Sequence, residues 1–267
     1  QLFHEKINLI EDCKISEIKK IPYNSILVIG HLYGAKQNDF IKKEQYLDTR
    51  VIKLINENQK KFDLIIFNGD IFFNPTKRKW EYIKNFMEEK NLQFMIAPGN
   101  HDITNEIVKI EDKKTQQKTF DNVFNFNYPS ILLKKNNEII VRDTINMNWS
   151  PTENEITFIN KGSESNHIFI IQHHTALKDF RFYTHDKLFY KRHNNKNILN
   201  LKEFLKFIKP EKNLTFIIGD AGAYDYQNRI ECKTFKNLNY IVNGLGGKID
   251  DKVIIINANK SFLYKLN

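Results

Sequence analysis

Five times along the chain a short run of β-branched and aromatic residues stops at a cluster of polar side chains. "SILVIG" (25–30) runs into "HLYG", "FDLIIF" (62–67) into "NGD", and "LQFMIAP" (92–98) into "GNHD". "HIFII" (167–171) then runs into "QHH", and "LTFII" (214–218) into "GDAGA". Continuous apolar runs of this length, bounded by turn residues, read as strands buried on both faces. Longer charged segments separate them, with helices expected over about 38–59 and 79–90 and near 153–160 and 200–208. Strands alternating with helices in this way read as parallel βαβ units. In open α/β sheets the carboxyl ends of the strands form the crevice where ligands bind, so the polar clusters converge on one place.

The rest of the chain is less patterned. Residues 1–24 read as a polar N-terminal extension, and the stretch 104–138 is charged and aromatic with no clear period. It and the segment 178–198 are expected to be insertions that shape the site. "EIIVRDT" (138–144) is a further strand, and "LNYIVNGLGG" and "DKVIIINA" close the chain with hairpin-like chemistry between them. No internal repeat or low-complexity linker divides the 267 residues, so a single domain spanning 1–267 is expected, long enough to bury one substantial core.

Charge and cysteine content restrict the function classes. The net charge of +9 comes from 41 basic and 32 acidic residues, in groups scattered along the chain and not interleaved with aromatics. Such a distribution suits solvated helix faces better than a nucleic-acid channel, so nucleic acid is not the favoured partner. No apolar run reaches the roughly 20 residues that cross a bilayer. Cys13 and Cys232 lack metal-site spacing and leave room for one disulfide in an exported protein. The chain begins at Gln1, consistent with a leader or anchor removed upstream. The compartment is therefore open between cytoplasmic and extracytoplasmic, and the oligomeric state is open as well.

A lone Gly-Asp after a strand reads as a turn or a helix cap, and a lone His-His pair as packing. Their co-occurrence at equivalent strand ends is not explained that way. As donors they are coherent. Asp70 is a hard carboxylate able to bridge two cations, Asn100 offers a carbonyl oxygen, His173 or His174 an imidazole, and Asp220 a second carboxylate. A mixed nitrogen and oxygen set suits Mn²⁺, Zn²⁺ or Fe. His101 directly follows a ligand, which is where a general acid for a departing alkoxide belongs.

At these residues the chain resembles the calcineurin-like metallophosphoesterase superfamily, whose blocks are D-x-H, G-D, G-N-H-D/E, a histidine after a strand, and G-H-x-H. "NGD" (68–70), "GNHD" (99–102) and "QHH" (172–174) match in order. The resemblance implies a two-sheet αββα sandwich, α/β in class, that hydrolyses phosphate esters with a divalent transition metal. It places Asp70, Asn100, His173 and Asp220 around one metal and His101 and Asp102 in catalysis. The expected substrate contacts are Tyr33, Asn68 and His174, with Arg181 offered by the basic segment 178–198. The outer blocks depart from the pattern. His31 stands at the first aspartate, Tyr33 at the first histidine, Asp220 at the first histidine of the last block, and Gly222 at its second. The second metal position, left with His31 and Asp70, is expected to be weak or absent.

"GHLYG", "GDAGA" and the terminal "GLGG" together are similar to glycan-associated members of the superfamily, which points to a glycan- or lipid-linked phosphate ester. Two readings from other classes stand beside hydrolysis: a catalytically impaired binding or scaffold protein with this fold, and a nuclease.

Overall fold

The structure is a computed structural model, and it describes residues 10–33, 40–42, 45–103, 110–135, 137–180, 198–220 and 230–267. Among them twelve strands form two sheets. In chain order they are β1 (Glu11–Asp12), β2 (Ser25–Gly30), β3 (Phe62–Asn68), β4 (Phe94–Ile96), β5 (Ser130–Lys134) and β6 (Asn137–Val141). There follow β7 (His167–Gln172), β8 (Asn213–Ile218), β9 (Ile230–Phe235), β10 (Leu238–Asn243), β11 (Lys252–Asn257) and β12 (Lys260–Lys265). One sheet has the order β1-β9-β10-β8-β7-β6-β5 and the other β12-β11-β2-β3-β4. As expected, the runs at 25–30, 62–68 and 94–96 are parallel neighbours in one sheet. The strands β6, β7, β8 and β10 run parallel in the other.

Alternation along each strand builds the layers, because successive side chains point to opposite faces. Ile26 and Val28 of β2, Leu64 and Ile66 of β3, and Ile254 and Ile256 of β11 face the opposite sheet. There they meet Ile139, Val141, Phe169, Ile171, Ile217 and Ile241 in an interior shared by both sheets. Leu27, Ile29, Ile65, Phe67, Val253 and Ile255 point the other way, under helices. On the outer face of the seven-stranded sheet Ile168, Ile170, Phe216 and Tyr240 pack with Ile159 and Phe204. The result is a four-layer α/β/β/α sandwich, as expected.

The covering helices follow from local sequence. In α1 (Thr49–Asn58), Val51, Leu54 and Ile55 are buried and Asp48 caps the N-terminus by accepting the Arg50 N–H. In α2 (Lys77–Glu89) the buried stripe is Trp80, Ile83 and Met87, a one-face helical spacing, with Thr76 as cap. No helix of the described residues is long and apolar enough to cross a membrane.

Three expectations need correction. The first helix begins at Thr49, not near 38, because the Asp48 carboxylate caps it and is held there by Arg50. The stretch 104–138 holds a helix, Ile110–Val123, and β5, which pairs antiparallel with β6. Phe120 near the end of that helix, with Phe124 just after it, packs on Trp80. The last two predicted strands are not a hairpin. Strand β10 lies between β8 and β9, whereas β11 lies between β12 and β2 in the other sheet. The "GLGG" segment is the crossing between sheets, and Leu245 N–H donates to the Gly30 carbonyl at 3.0 Å.

Candidate active site

The carboxyl ends of β2, β3, β7 and β8 meet between the two sheets. His31 follows β2, Asp70 follows β3, His173 follows β7 and Asp220 follows β8. Hydrogen bonds across the sandwich fix that end. Asn68 Nδ2 donates to the Ile217 carbonyl at 3.0 Å, and the Gly30 N–H donates to Asn243 Oδ1 at 3.0 Å. Into this junction Asp70 turns with a left-handed φ of 52°, directly after Gly69 at 77°. A Cβ on Gly69 would run into the His173 imidazole, and one on Gly99 into the Asp70 carboxylate. Both glycines are required by how closely the neighbouring turn approaches.

The polar groups form one cluster. His173 Nε2 lies 3.4 Å from Asp70 Oδ1 and 3.7 Å from Asp220 Oδ1, and His31 Nε2 lies 3.5 Å from Asp70 Oδ2. His173 is fully buried, yet Nε2 has no hydrogen-bond partner among the described residues. Its Nδ1 faces the Asn68 carbonyl at 3.4 Å, which aims Nε2 at the carboxylates. The His101 N–H donates to Asp70 Oδ1 at 3.0 Å, which places His101 against the same carboxylate.

Electrostatics oppose burial here. Burial drives the Asp70 carboxyl upward, but His173, His31 and His101 hold it below its ordinary value. Burial would lower His173, but Asp70, Asp220 and Asp102 together raise it. His31 is lowered because burial outweighs the pull of Asp70 and Asp220. Asp102, buried and repelled by Asp70, is pushed up to about 7 despite its backbone donors. The cluster is thus a buried concentration of carboxylate charge that prefers a cation.

The other expected residues take distinct places. Asn100 is buried at the start of the four-residue helix Asn100–Ile103, beside Gly99. Tyr33 packs its ring 4.4 Å from His31 and 5.3 Å from His101. His174 stacks flat on Trp149 at 4.5 Å and meets Thr144 Oγ1 at 2.8 Å through Nδ1. Two of them also hold the backbone of the site. Asp102 is fully buried and accepts the N–H groups of Ile71 and Gly99, both at 2.9 Å, so it ties the two turns together. Asn68 is fully buried between the sheets, and its amide nitrogen tethers them. Arg181, Gly222 and the rest of the basic stretch 181–197 lie outside the described residues.

Sequence reasoning missed several neighbours. Phe73, 37% exposed, stacks on His101 at 5.1 Å and meets Tyr33 edge-on at 5.6 Å. Thr144 and Trp149 lie against His174, Arg142 holds the Trp149 carbonyl, and Asn243 holds Gly30. Thr144 follows β6 and Asn243 ends β10, so both obey the same rule of polar residues at the carboxyl ends of parallel strands.

The family comparison decides what the cluster belongs to. The calcineurin-like phosphoesterase family matches residues 26–199, from β2 to beyond β7. The chain belongs to the calcineurin-like phosphoesterase family. A probable glycerophosphodiester phosphodiesterase of Arcobacter nitrofigilis is 29% identical over 93 residues, 35% of this chain and 28% of the relative. A probable cyclic nucleotide phosphodiesterase of Fibrobacter succinogenes is 28% identical over 92 residues, 33% of this chain and 36% of the relative. The matched segment spans about a third of the length of these curated relatives. The structure of a purple acid phosphatase from yellow lupin (Lupinus luteus) seeds aligns with a TM-score of 0.52 at 11% identity. That alignment covers 90% of this chain and 53% of that one, and it shows a shared fold.

Membership in the calcineurin-like phosphoesterase family implies use of a divalent metal, and the residues present fit one. Two donors each about 2.1 Å from a common cation stand about 3.0–3.4 Å apart. His173 Nε2 and Asp70 Oδ1 have that spacing, and Asp220 Oδ1 is close to it. Donor atoms of His31, Asp70 and Asp220 also lie within 4.8 Å of one another, as do those of His173, His174 and Asp220. Asp220 lies beyond the segment matched by the family, and the fold nevertheless brings it into the cluster.

Proposed function

We propose that this chain is a metal-dependent hydrolase of phosphodiesters. The observation that carries the reading is His173 Nε2, buried, without a hydrogen-bond partner among the described residues, and facing two carboxylates. Asp70, His173 and Asp220 would hold the cation, with Asn100 beside them. When bound, a divalent cation supplies Lewis acidity toward the phosphoryl oxygens and makes water acidic enough to serve as a nucleophile near neutral pH. The chain's own residues do the remaining work. His101, with its backbone N–H on Asp70 Oδ1 and its ring against Phe73 and Tyr33, gives a proton to the departing oxygen. The aromatic faces restrict the ring without consuming its nitrogens, and Nδ1 has no partner among the described residues. Support for a diester comes from the two relatives described as phosphodiesterases.

The test is a panel of bis(nitrophenyl) phosphate, nitrophenyl phosphate and single-stranded DNA, with Mn²⁺ supplied to metal-stripped protein. Faster turnover of the diester than of the monoester supports the reading. Exclusive hydrolysis of the monoester, or tight metal binding with no turnover of any of the three, contradicts it.

We further infer an oxidising, extracytoplasmic compartment. Cys13 and Cys232 form a disulfide that ties the segment after the edge strand β1 to the neighbouring strand β9, with Cα atoms 5.0 Å apart. Structural disulfides persist mainly outside the reducing cytosol. Alkylation of the denatured, unreduced protein taken from its native cells tests this. Both cysteines should be blocked, and two free thiols would contradict the inference.

A further inference from the structure

His173 and His174 are adjacent, and their imidazoles are seated in opposite ways. The Asn68 carbonyl facing His173 Nδ1 can only accept, so that nitrogen carries the hydrogen and Nε2 keeps its lone pair. At His174 the neighbour is a hydroxyl. Thr144 Oγ1 lies 2.8 Å from His174 Nδ1 and 3.3 Å from the His174 backbone nitrogen. The backbone N–H donates, so Oγ1 accepts there. Thr144 is fully buried, and among the described residues His174 Nδ1 is the remaining group able to take its hydroxyl hydrogen. Buried hydroxyls place their hydrogen on an acceptor. Thr144 Oγ1–H therefore donates to Nδ1, and neutral His174 carries its hydrogen on Nε2.

The seat is rigid. Trp149 lies flat on His174, with rings 5° from parallel. The segment carrying Trp149 hangs from the fully buried Arg142 guanidinium, which donates to the carbonyls of Asn148, Trp149 and Ser150 at 2.9, 2.7 and 2.9 Å. Gln172 Nε2 closes the loop by donating to the Trp149 and His174 carbonyls at 2.9 and 2.7 Å. A ring nitrogen of His174 lies within 4.8 Å of donor atoms of both His173 and Asp220.

We propose that His174 is a neutral Nε2–H donor to a non-bridging phosphoryl oxygen, and that Thr144 is the positioning residue that fixes this tautomer. The proposal rests on the phosphoester reading of the site. Nitrogen that bears hydrogen has no lone pair for a cation, so of the two imidazoles only His173 is a ligand. A donor fixed in place, away from water, holds the charge that accumulates on phosphoryl oxygens more strongly than a mobile one.

Two measurements test this, and neither needs turnover, so failure of the hydrolase reading would be seen separately. The first is NMR of the zinc-loaded, full-length protein with isotopically labelled histidine nitrogens. His174 should show a bare Nδ1 and a protonated Nε2, and hydrogen on Nδ1 would overturn the proposal. It is read on the unsubstituted protein, so it decides the question even where a variant does not fold. The second is calorimetric binding of inorganic phosphate to Thr144→Val and Thr144→Ser. The valine variant should bind phosphate on the order of tenfold more weakly at unchanged metal content, and the serine variant should restore affinity. Parental phosphate affinity in Thr144→Val, or loss of metal from it, would overturn the assignment.

Discussion

The Asp102 carboxylate accepts the Ile71 backbone N–H at 2.9 Å through Oδ1 while its Oδ2 accepts that of Gly99 at 2.9 Å. One side chain thereby clasps the turn that carries Asp70 to the turn that carries Asn100 and His101. Asp102→Asn replaces one acceptor by an NH₂ that must face a backbone donor in a fully buried site. The expected cost is about 1–3 kcal/mol, or about 2–10 °C in melting temperature. Thermal unfolding monitored by circular dichroism checks this, and an unchanged melting temperature would show that the clasp is not structural.

For His101 the expected effect is kinetic. His101→Ala should lower turnover on the order of 10²–10⁴ for alkyl esters, the usual worth of a positioned general acid. The loss should shrink for nitrophenyl esters, whose leaving groups need no proton. Metal content should stay at the parental level, because the contact to Asp70 is made by the His101 backbone N–H and survives the substitution. An equal loss across leaving groups would make His101 a phosphate-positioning group.

How far the sequence reveals this arrangement depends on how local each signal is. The strand β2, with Ile26 and Val28 inward and Leu27 and Ile29 outward, is legible because burial on both faces writes itself as a continuous apolar run. Asp70, His101 and His173 are legible because strand ends are short-range features and parallel topology brings them together. The residues that support the two site histidines from further away in the sequence are not. Arg142 reads as a surface charge until the backbone delivers three carbonyls and Glu155 to it. Phe73 reads as another core aromatic until its ring is found beside His101. Asn243 and Leu245 read as a hairpin turn, because nothing local records that β10 and β11 belong to different sheets.

Arg142 provides a stability prediction of its own. It is fully buried and its Nε pairs with Glu155 Oε1 at 2.5 Å, while Glu155 also accepts the Thr152 N–H in a capping box. Arg142→Met removes the guanidinium's hydrogen bonds from a buried carboxylate and three backbone carbonyls. Breaking a buried pair in this way costs about 3–5 kcal/mol. Denaturant unfolding should show a loss of that size, and Arg142→Met with Glu155→Gln together should recover part of it. A loss under about 1 kcal/mol for the single variant would mean that water replaces the guanidinium.

The altered outer blocks bear on metal number. At the second position His31 supplies a neutral imidazole where the family motif has a carboxylate, and Tyr33 packs as a ring against His101. Hard divalent cations depend on ligand charge and count. The protein should therefore hold one cation firmly, with a second only at high concentration. His31→Asp, Tyr33→His and Gly222→His together should raise the stoichiometry towards two, as read by plasma mass spectrometry on dialysed protein. Two tightly held cations in the unsubstituted protein would mean that residues outside the family pattern complete the second set.

The central claim is that the carboxylates facing His173 Nε2 hold a cation on which phosphodiester hydrolysis depends. The most direct test measures metal content and bis(nitrophenyl) phosphate turnover together, in the parent protein and in Asp70→Asn. The parent should hold a divalent cation, lose turnover on exhaustive chelation and regain it with Mn²⁺. Asp70→Asn, without the carboxylate that faces both His173 and His31, should bind metal at least roughly 100-fold more weakly and show no turnover at micromolar metal. Parental turnover in Asp70→Asn, or in fully stripped protein, would contradict the account.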